Sequence, residues 1–129
     1  MTEFVMEQRG EDSSADCYAL LADVKAAMAL TNYDPKCMHF VQGKVEDTIP
    51  EQAPQSIALL RLDTDWYEST RHELEHLFPR LSPGGILIID DYGDWQGARK
   101  ATDEFVAKHA PGLFLSRIDD TGRLAIKTS

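Results

Sequence analysis

Ile57-Ala58-Leu59-Leu60-Arg61-Leu62-Asp63-Thr64-Asp65 and, one helix-length segment later, Ile86-Leu87-Ile88-Ile89-Asp90-Asp91 decide the fold. Each is a short run rich in branched apolar residues that stops at a pair of carboxylates. Nearly continuous runs of this kind are expected of strands buried on both faces of a parallel sheet. A connection long enough for a helical crossover places the two strands parallel and adjacent. Parallel neighbours lie about 4.8 Å apart, so Asp63, Asp65, Asp90 and Asp91 gather at one end of the sheet. That is the end where open α/β sheets bind ligands. Hard oxygen donors gathered from rigid strand ends suit a divalent cation such as Mg²⁺, which keeps some of its octahedral positions for water or substrate.

Working outward from this stretch, Trp66 to Phe78 reads as a helix with Tyr67, Thr70, Leu74 and Leu77 along one stripe that continues to Leu81, and Pro79 ends or kinks it. Ser82-Pro83-Gly84-Gly85 reads as the turn into the second strand. Tyr92 to Gly97 is a loop at the carboxylate end, followed by a helix from Ala98 to His109 that buries Ala98, Ala101, Phe105 and Val106. Leu113–Ile118 and Leu124–Lys127 form an antiparallel hairpin across Asp119-Asp120-Thr121-Gly122. Upstream, Cys17, Leu20, Leu21, Val24, Ala27 and Met28 recur at helical steps, predicting a helix over 16–30. Met38–Gln42 reads as a short strand stopped by Gly43, and Glu46 to Gln55 as a loop. Residues 1–15 are polar and read as loop or disorder ahead of one domain over 16–129. The pattern is α/β, mostly parallel, with an antiparallel C-terminal hairpin.

The 129 residues carry 13 Lys and Arg against 22 Asp and Glu, a net charge of -9. That balance argues against a nucleic-acid or anionic-membrane surface, where basic patches are needed. Cys17 and Cys37 form no disulfide framework and read as core thiols of a reducing compartment. No apolar run reaches membrane-spanning length and no signal segment precedes the fold, so a cytoplasmic location is expected.

The wording of three segments resembles the macrocin O-methyltransferase family: Leu60 to Thr70, Pro83 to Gly93 and Gly97-Ala98-Arg99-Lys100-Ala101. Ile118-Asp119 and Thr121-Gly122-Arg123 share in the likeness, which runs over residues 38–127. The resemblance implies an S-adenosylmethionine- and Mg²⁺-dependent enzyme that methylates a sugar hydroxyl of an antibiotic-like glycoside. It implies Asp63, Asp90 and Asp91 as metal ligands and Asp65 as general base. Less directly, it places Gly43, Val45 and Asp47 against the cofactor's adenosine.

The same resemblance implies the C-terminal part of a class I, Rossmann-like methyltransferase sheet, with its strands 1 and 2 missing. No strand with a Gly-rich turn precedes Asp16, and these normally hold the cofactor. The apolar strand Ile57–Leu62 is then an open edge, to be completed by an N-terminal complementing segment or a second copy of the chain.

Plainer readings stand beside these. Asp65 also suits a helix cap. His72 and His76 have metal-ligand spacing but fit a solvated face with Arg71, Glu73 and Glu75. Trp66, Tyr67, Tyr92 and Trp95 either wall a ligand or pack helices. A haloacid-dehalogenase-type phosphatase also pairs DxD with DD, but it needs a lysine between the two motifs and none lies between Asp65 and Asp90. A non-catalytic remnant or sheet-completing partner is the other alternative.

Overall fold

The computed structural model describes residues 19–129. The expected disorder of residues 1–15, the start of the first helix and Cys17 lie outside the described residues. The described residues fall into two units that divide between Thr48 and Ile49.

In the first unit, helix α1 spans Leu21–Ala29 and has no buried residue. Its end is turned by Thr31, whose hydroxyl donates to Met28 O at 2.7 Å, and by Asn32 at φ 56°. A 3-10 turn at Pro35–Cys37 is capped by the Asp34 carboxylate, which accepts from Lys36 N. Cys37 is exposed, so the expected core thiol is corrected. His39–Gln42 is not a strand, because no strand among the described residues takes up its backbone groups. The loop expected from Glu46 begins instead inside a one-turn helix α2, Val45–Thr48.

The second unit holds the two decisive runs. Strand β1 is Ile57–Leu62, helix α3 Tyr67–Leu77, and strand β2 Leu81–Ile89. Helix α4 is Gln96–His109, and strands β3 (Ser116–Arg117) and β4 (Arg123–Ile126) form the hairpin. The sheet order is β1-β2-β4-β3, with β1 and β2 parallel and the other two pairings antiparallel. The expected mostly parallel sheet is therefore mixed among the described residues. Pro79 ends α3 as foreseen, in a 3-10 turn at Phe78–Arg80. Ser82–Gly85 stays inside β2 as an irregularity: Ile57 pairs with Leu81 but Leu59 already with Ile86. Gly84 supplies the left-handed φ of 82° that this bulge requires.

The core lies between one face of the sheet and the two helices. Leu60, Leu62, Leu87, Ile89 and Ala125 meet Leu74, Leu77, Phe78 and Phe105. Phe78 and Phe105 pack edge to face with centroids 5.3 Å apart. The opposite face of β1 and β4 is open, with Leu59 57% and Ile126 55% exposed. The expectation that β1 is buried on both faces is thus corrected: alternate side chains point to opposite faces, and the helices of this unit cover only one. Lys127 Nζ donates to Leu81 O at 2.8 Å and Phe78 O at 2.9 Å, tying the end of the chain to the turn before β2.

Candidate metal centre

Register brings the carboxylates together. Leu62 pairs with Ile89, and Asp90 N donates to Leu62 O at 2.9 Å, so Asp63 and Asp90 leave the sheet side by side. Asp91 follows at once. One carboxylate oxygen from each of Asp63, Asp90 and Asp91 falls in a group whose members all lie within 4.8 Å of one another. Asp65 stands outside that group but beside Asp91. Burial drives the Asp91 carboxyl up to about 8, with the Asp65 charge next and the neighbouring Asp63 after it.

These residues fit a divalent cation on their own chemistry. The donors are hard carboxylate oxygens converging from two strand ends. Asp91 Oδ2 is buried and has no hydrogen-bond partner, an uncommon condition for a buried acceptor. A cation already leans on the group from outside: Arg61 places Nη2 2.7 Å from Asp90 Oδ1 and Nη1 3.1 Å from Asp63 Oδ2.

The turn that carries Asp63 and Asp65 is clamped from beneath. Thr64 Oγ1 donates to Glu73 Oε2 at 2.7 Å and lies 3.1 Å from Thr70 Oγ1. Thr70 Oγ1 also lies 3.1 Å from Thr64 O. With the Thr64 proton committed to Glu73, the single Thr70 proton serves the backbone and hydroxyl of Thr64. Thr70 is fully buried and Glu73 is 6% exposed. Glu73 is therefore not on the solvated helix face that its charge implied.

Two glycines set the approach of the flanking segments. A Cβ on Gly97 would lie 2.7 Å from Tyr67 N and 3.3 Å from Asp65 O, so α4 starts directly against the Asp65 turn. Gly93 N donates to Thr121 O at 2.8 Å, and a Cβ there would run into the Asp120 carbonyl. The loop after Asp91 thus rests on the hairpin tip, where the Asp119 carboxylate accepts from Thr121 N and Gly122 N and is held below its usual range by those bonds.

Other sequence candidates go elsewhere. The N-cap of α3 is Trp66, so Asp65 does not occupy that position. His72 Nε2 lies 2.8 Å from Ile49 O and its ring packs on His76 at 4.4 Å, which makes it half-buried structure rather than a ligand. Tyr92 donates to Asp103 at 2.6 Å, with the Arg99 and Arg123 guanidinium groups 5.3 Å and 4.9 Å from its ring. The Trp66 and Trp95 rings lie tilted at 45° with centroids 6.2 Å apart. Gly43, Val45 and Asp47 belong to the first unit, at the turn into α2 and within it.

Arg61 and Glu73 were missed as site residues, although each had a signal. Period two puts Arg61 on the same strand face as Asp63. Helical spacing puts Glu73 on the Thr70–Leu77 stripe.

The sequence profile of the Macrocin-O-methyltransferase (TylF) family matches residues 9–125. The chain belongs to this family. It is 42% identical over 85 residues to 8-demethyl-8-(2,3-dimethoxy-alpha-L-rhamnosyl)-tetracenomycin-C 4'-O-methyltransferase of Streptomyces olivaceus, covering 66% of this chain and 32% of that one. It is 39% identical over 93 residues to demethyldecarbamoylnovobiocin O-methyltransferase of Streptomyces niveus, covering 70% of this chain and 36% of that one. The chain spans about a third of the length of these curated relatives. Among solved structures, the O-methyltransferase NovP superposes with a TM-score of 0.83 at 29% identity, over 95% of this chain and 55% of NovP. The apo structure of CalS11, a TDP-rhamnose 3'-O-methyltransferase, gives 0.56 at 29% identity, over 67% and 39%. The α/β methyltransferase fold expected from the sequence is thereby borne out, and the phosphatase alternative is set aside.

Proposed function

We propose that this chain carries the metal and general-base portion of an O-methyltransferase that moves a methyl group from S-adenosylmethionine to a sugar hydroxyl of a natural-product glycoside. The supporting observation is the convergence of Asp63, Asp90 and Asp91, with Asp65 beside them but outside the set. In this reading those three residues hold Mg²⁺. The group they would hold would supply Lewis-acid activation of the acceptor hydroxyl and positive charge for the developing oxyanion. Asp65 takes the hydroxyl proton as general base. The Thr64–Thr70–Glu73 clamp and the Gly97 contact hold its backbone in place, so its geometry is set before substrate arrives. Sugar acceptors are inferred from the relatives, whose names specify a rhamnosyl tetracenomycin, a novobiocin precursor and TDP-rhamnose.

Gly43, Val45 and Asp47 are proposed on the adenosine side from the family resemblance alone. Gly43 turns at φ 144° ahead of α2, and Asp47 is exposed on that helix. An N-terminal segment of the family or a second copy of the chain is proposed as its partner in cofactor binding. Among the described residues no helix is long and apolar enough to cross a membrane.

Calorimetry with Mn²⁺ on the wild type, D90N and D91N tests the metal assignment: binding should be lost in both variants, and equal binding in all three refutes it. Transfer of labelled methyl to a rhamnoside, with and without a supplied N-terminal segment of the family, tests the activity. Transfer only on complementation supports a split enzyme. Transfer in neither arm, with Mn²⁺ still bound, supports a non-catalytic remnant.

A further inference from the structure

We propose that Arg61 is a built-in counter-cation of the carboxylate cluster and weakens divalent-ion binding there by pairing with two of its three carboxylates. The inference rests on the metal reading above. Arg61 is the one charged residue in β1, and its guanidinium spans two strand ends to pair with Asp90 at 2.7 Å and Asp63 at 3.1 Å. Both contacts are to members of the three-carboxylate group. The third member, Asp91, presents its partnerless Oδ2 from the buried side. The cluster is thus only partly neutralised from solvent, with Asp91 Oδ2 left without a hydrogen-bond donor.

A divalent ion entering the group meets a fixed positive charge held against two of its three ligands. It must either share those carboxylates with the guanidinium or displace it. Displacement is easy, because the Arg61 side chain is 50% exposed and exposed ion pairs contribute little on their own. Repulsion persists while the charge stays near. A unit and a double positive charge a few ångströms apart in a water-like medium repel enough to change a binding constant by about tenfold. Orienting the two carboxylates is the competing effect of Arg61, and for exposed pairs it is smaller. Charge should win.

The probe is Mn²⁺ alone, titrated into the full chain and followed by calorimetry and by the electron paramagnetic resonance signal of the free ion. R61M is expected to bind Mn²⁺ about tenfold more tightly than the wild type. R61K keeps the charge and is expected to stay near the wild-type affinity. Wild type and R61M of equal affinity, or a weaker R61M, overturns the role of Arg61 while leaving the metal site standing. Absence of Mn²⁺ binding in the wild type and in both variants overturns the metal reading and this inference with it. Should R61M lose its fold by circular dichroism, R61Q carries the same expectation and the same refutation.

Discussion

Cutting the bond between Thr64 and Glu73 should loosen the turn that carries Asp63 and Asp65. Thr64 Oγ1 donates to Glu73 Oε2 at 2.7 Å, and Glu73 is 6% exposed. A buried hydrogen bond to a charged group contributes about 1.5–3 kcal/mol, and leaving either partner unsatisfied costs about 1–3 kcal/mol. Removing a buried carboxylate also returns part of its desolvation cost, which acts in the opposite direction. A double-mutant cycle separates the two, because desolvation of Glu73 enters both E73A legs and cancels. T64V keeps the shape of Thr64 and removes only the hydroxyl. We expect E73A and T64V each to destabilise by about 1–3 kcal/mol, with a coupling energy of about 1–2 kcal/mol. For a domain of this size each 1 kcal/mol lowers Tm by about 4–8 °C. Urea denaturation of the four proteins gives the coupling, and Mn²⁺ calorimetry should show weaker binding in both single variants. A coupling below about 0.3 kcal/mol, within the error of additivity, with unchanged Mn²⁺ affinity refutes the clamp.

Three further perturbations test the same packing. G97A should destabilise by about 1–2 kcal/mol in urea, since overpacking against the Tyr67 and Asp65 backbone outweighs the better helix propensity of alanine. L74A, which removes a fully buried side chain between helix and sheet, should cost about 2–5 kcal/mol in the same assay. The third concerns pH: Asp91 stays neutral in the fold up to about 8 but ionises near 3.8 when unfolded. Its contribution is therefore fully present below pH 3.8 and is lost progressively as pH rises toward 8. In metal-free buffer the Tm of D91N should gain on the wild type between pH 5 and pH 8, and a constant gap between the two melting curves would count against the raised carboxyl.

The decisive stretch was legible because its chemistry is local. Short branched runs ending in carboxylates identify buried strands, and a helix-length spacer identifies a parallel crossover. Those two facts already place Asp63 beside Asp90. Element ends were less legible. Ser82–Gly85 carries turn residues yet remains in β2, since a bulge with Gly84 at φ 82° absorbs them. His39–Gln42 has strand composition without a partner strand among the described residues, and a strand is stable only through pairing. Charge misled at Glu73, because a carboxylate is read as solvated until a buried donor such as Thr64 is seen.

By itself, the sequence determined the order of strands and helices from Ile57 onward, the family resemblance, and that Asp63 meets Asp90 and Asp91 at the strand ends, since register and period follow from local pattern. Only the tertiary structure decided that Asp91 has a buried oxygen without a partner, that Arg61 spans Asp63 and Asp90, and that Glu73 holds the turn that carries Asp63 and Asp65. Burial and ion pairing depend on what packs from elsewhere in the chain, and that information is absent from the local pattern at these positions.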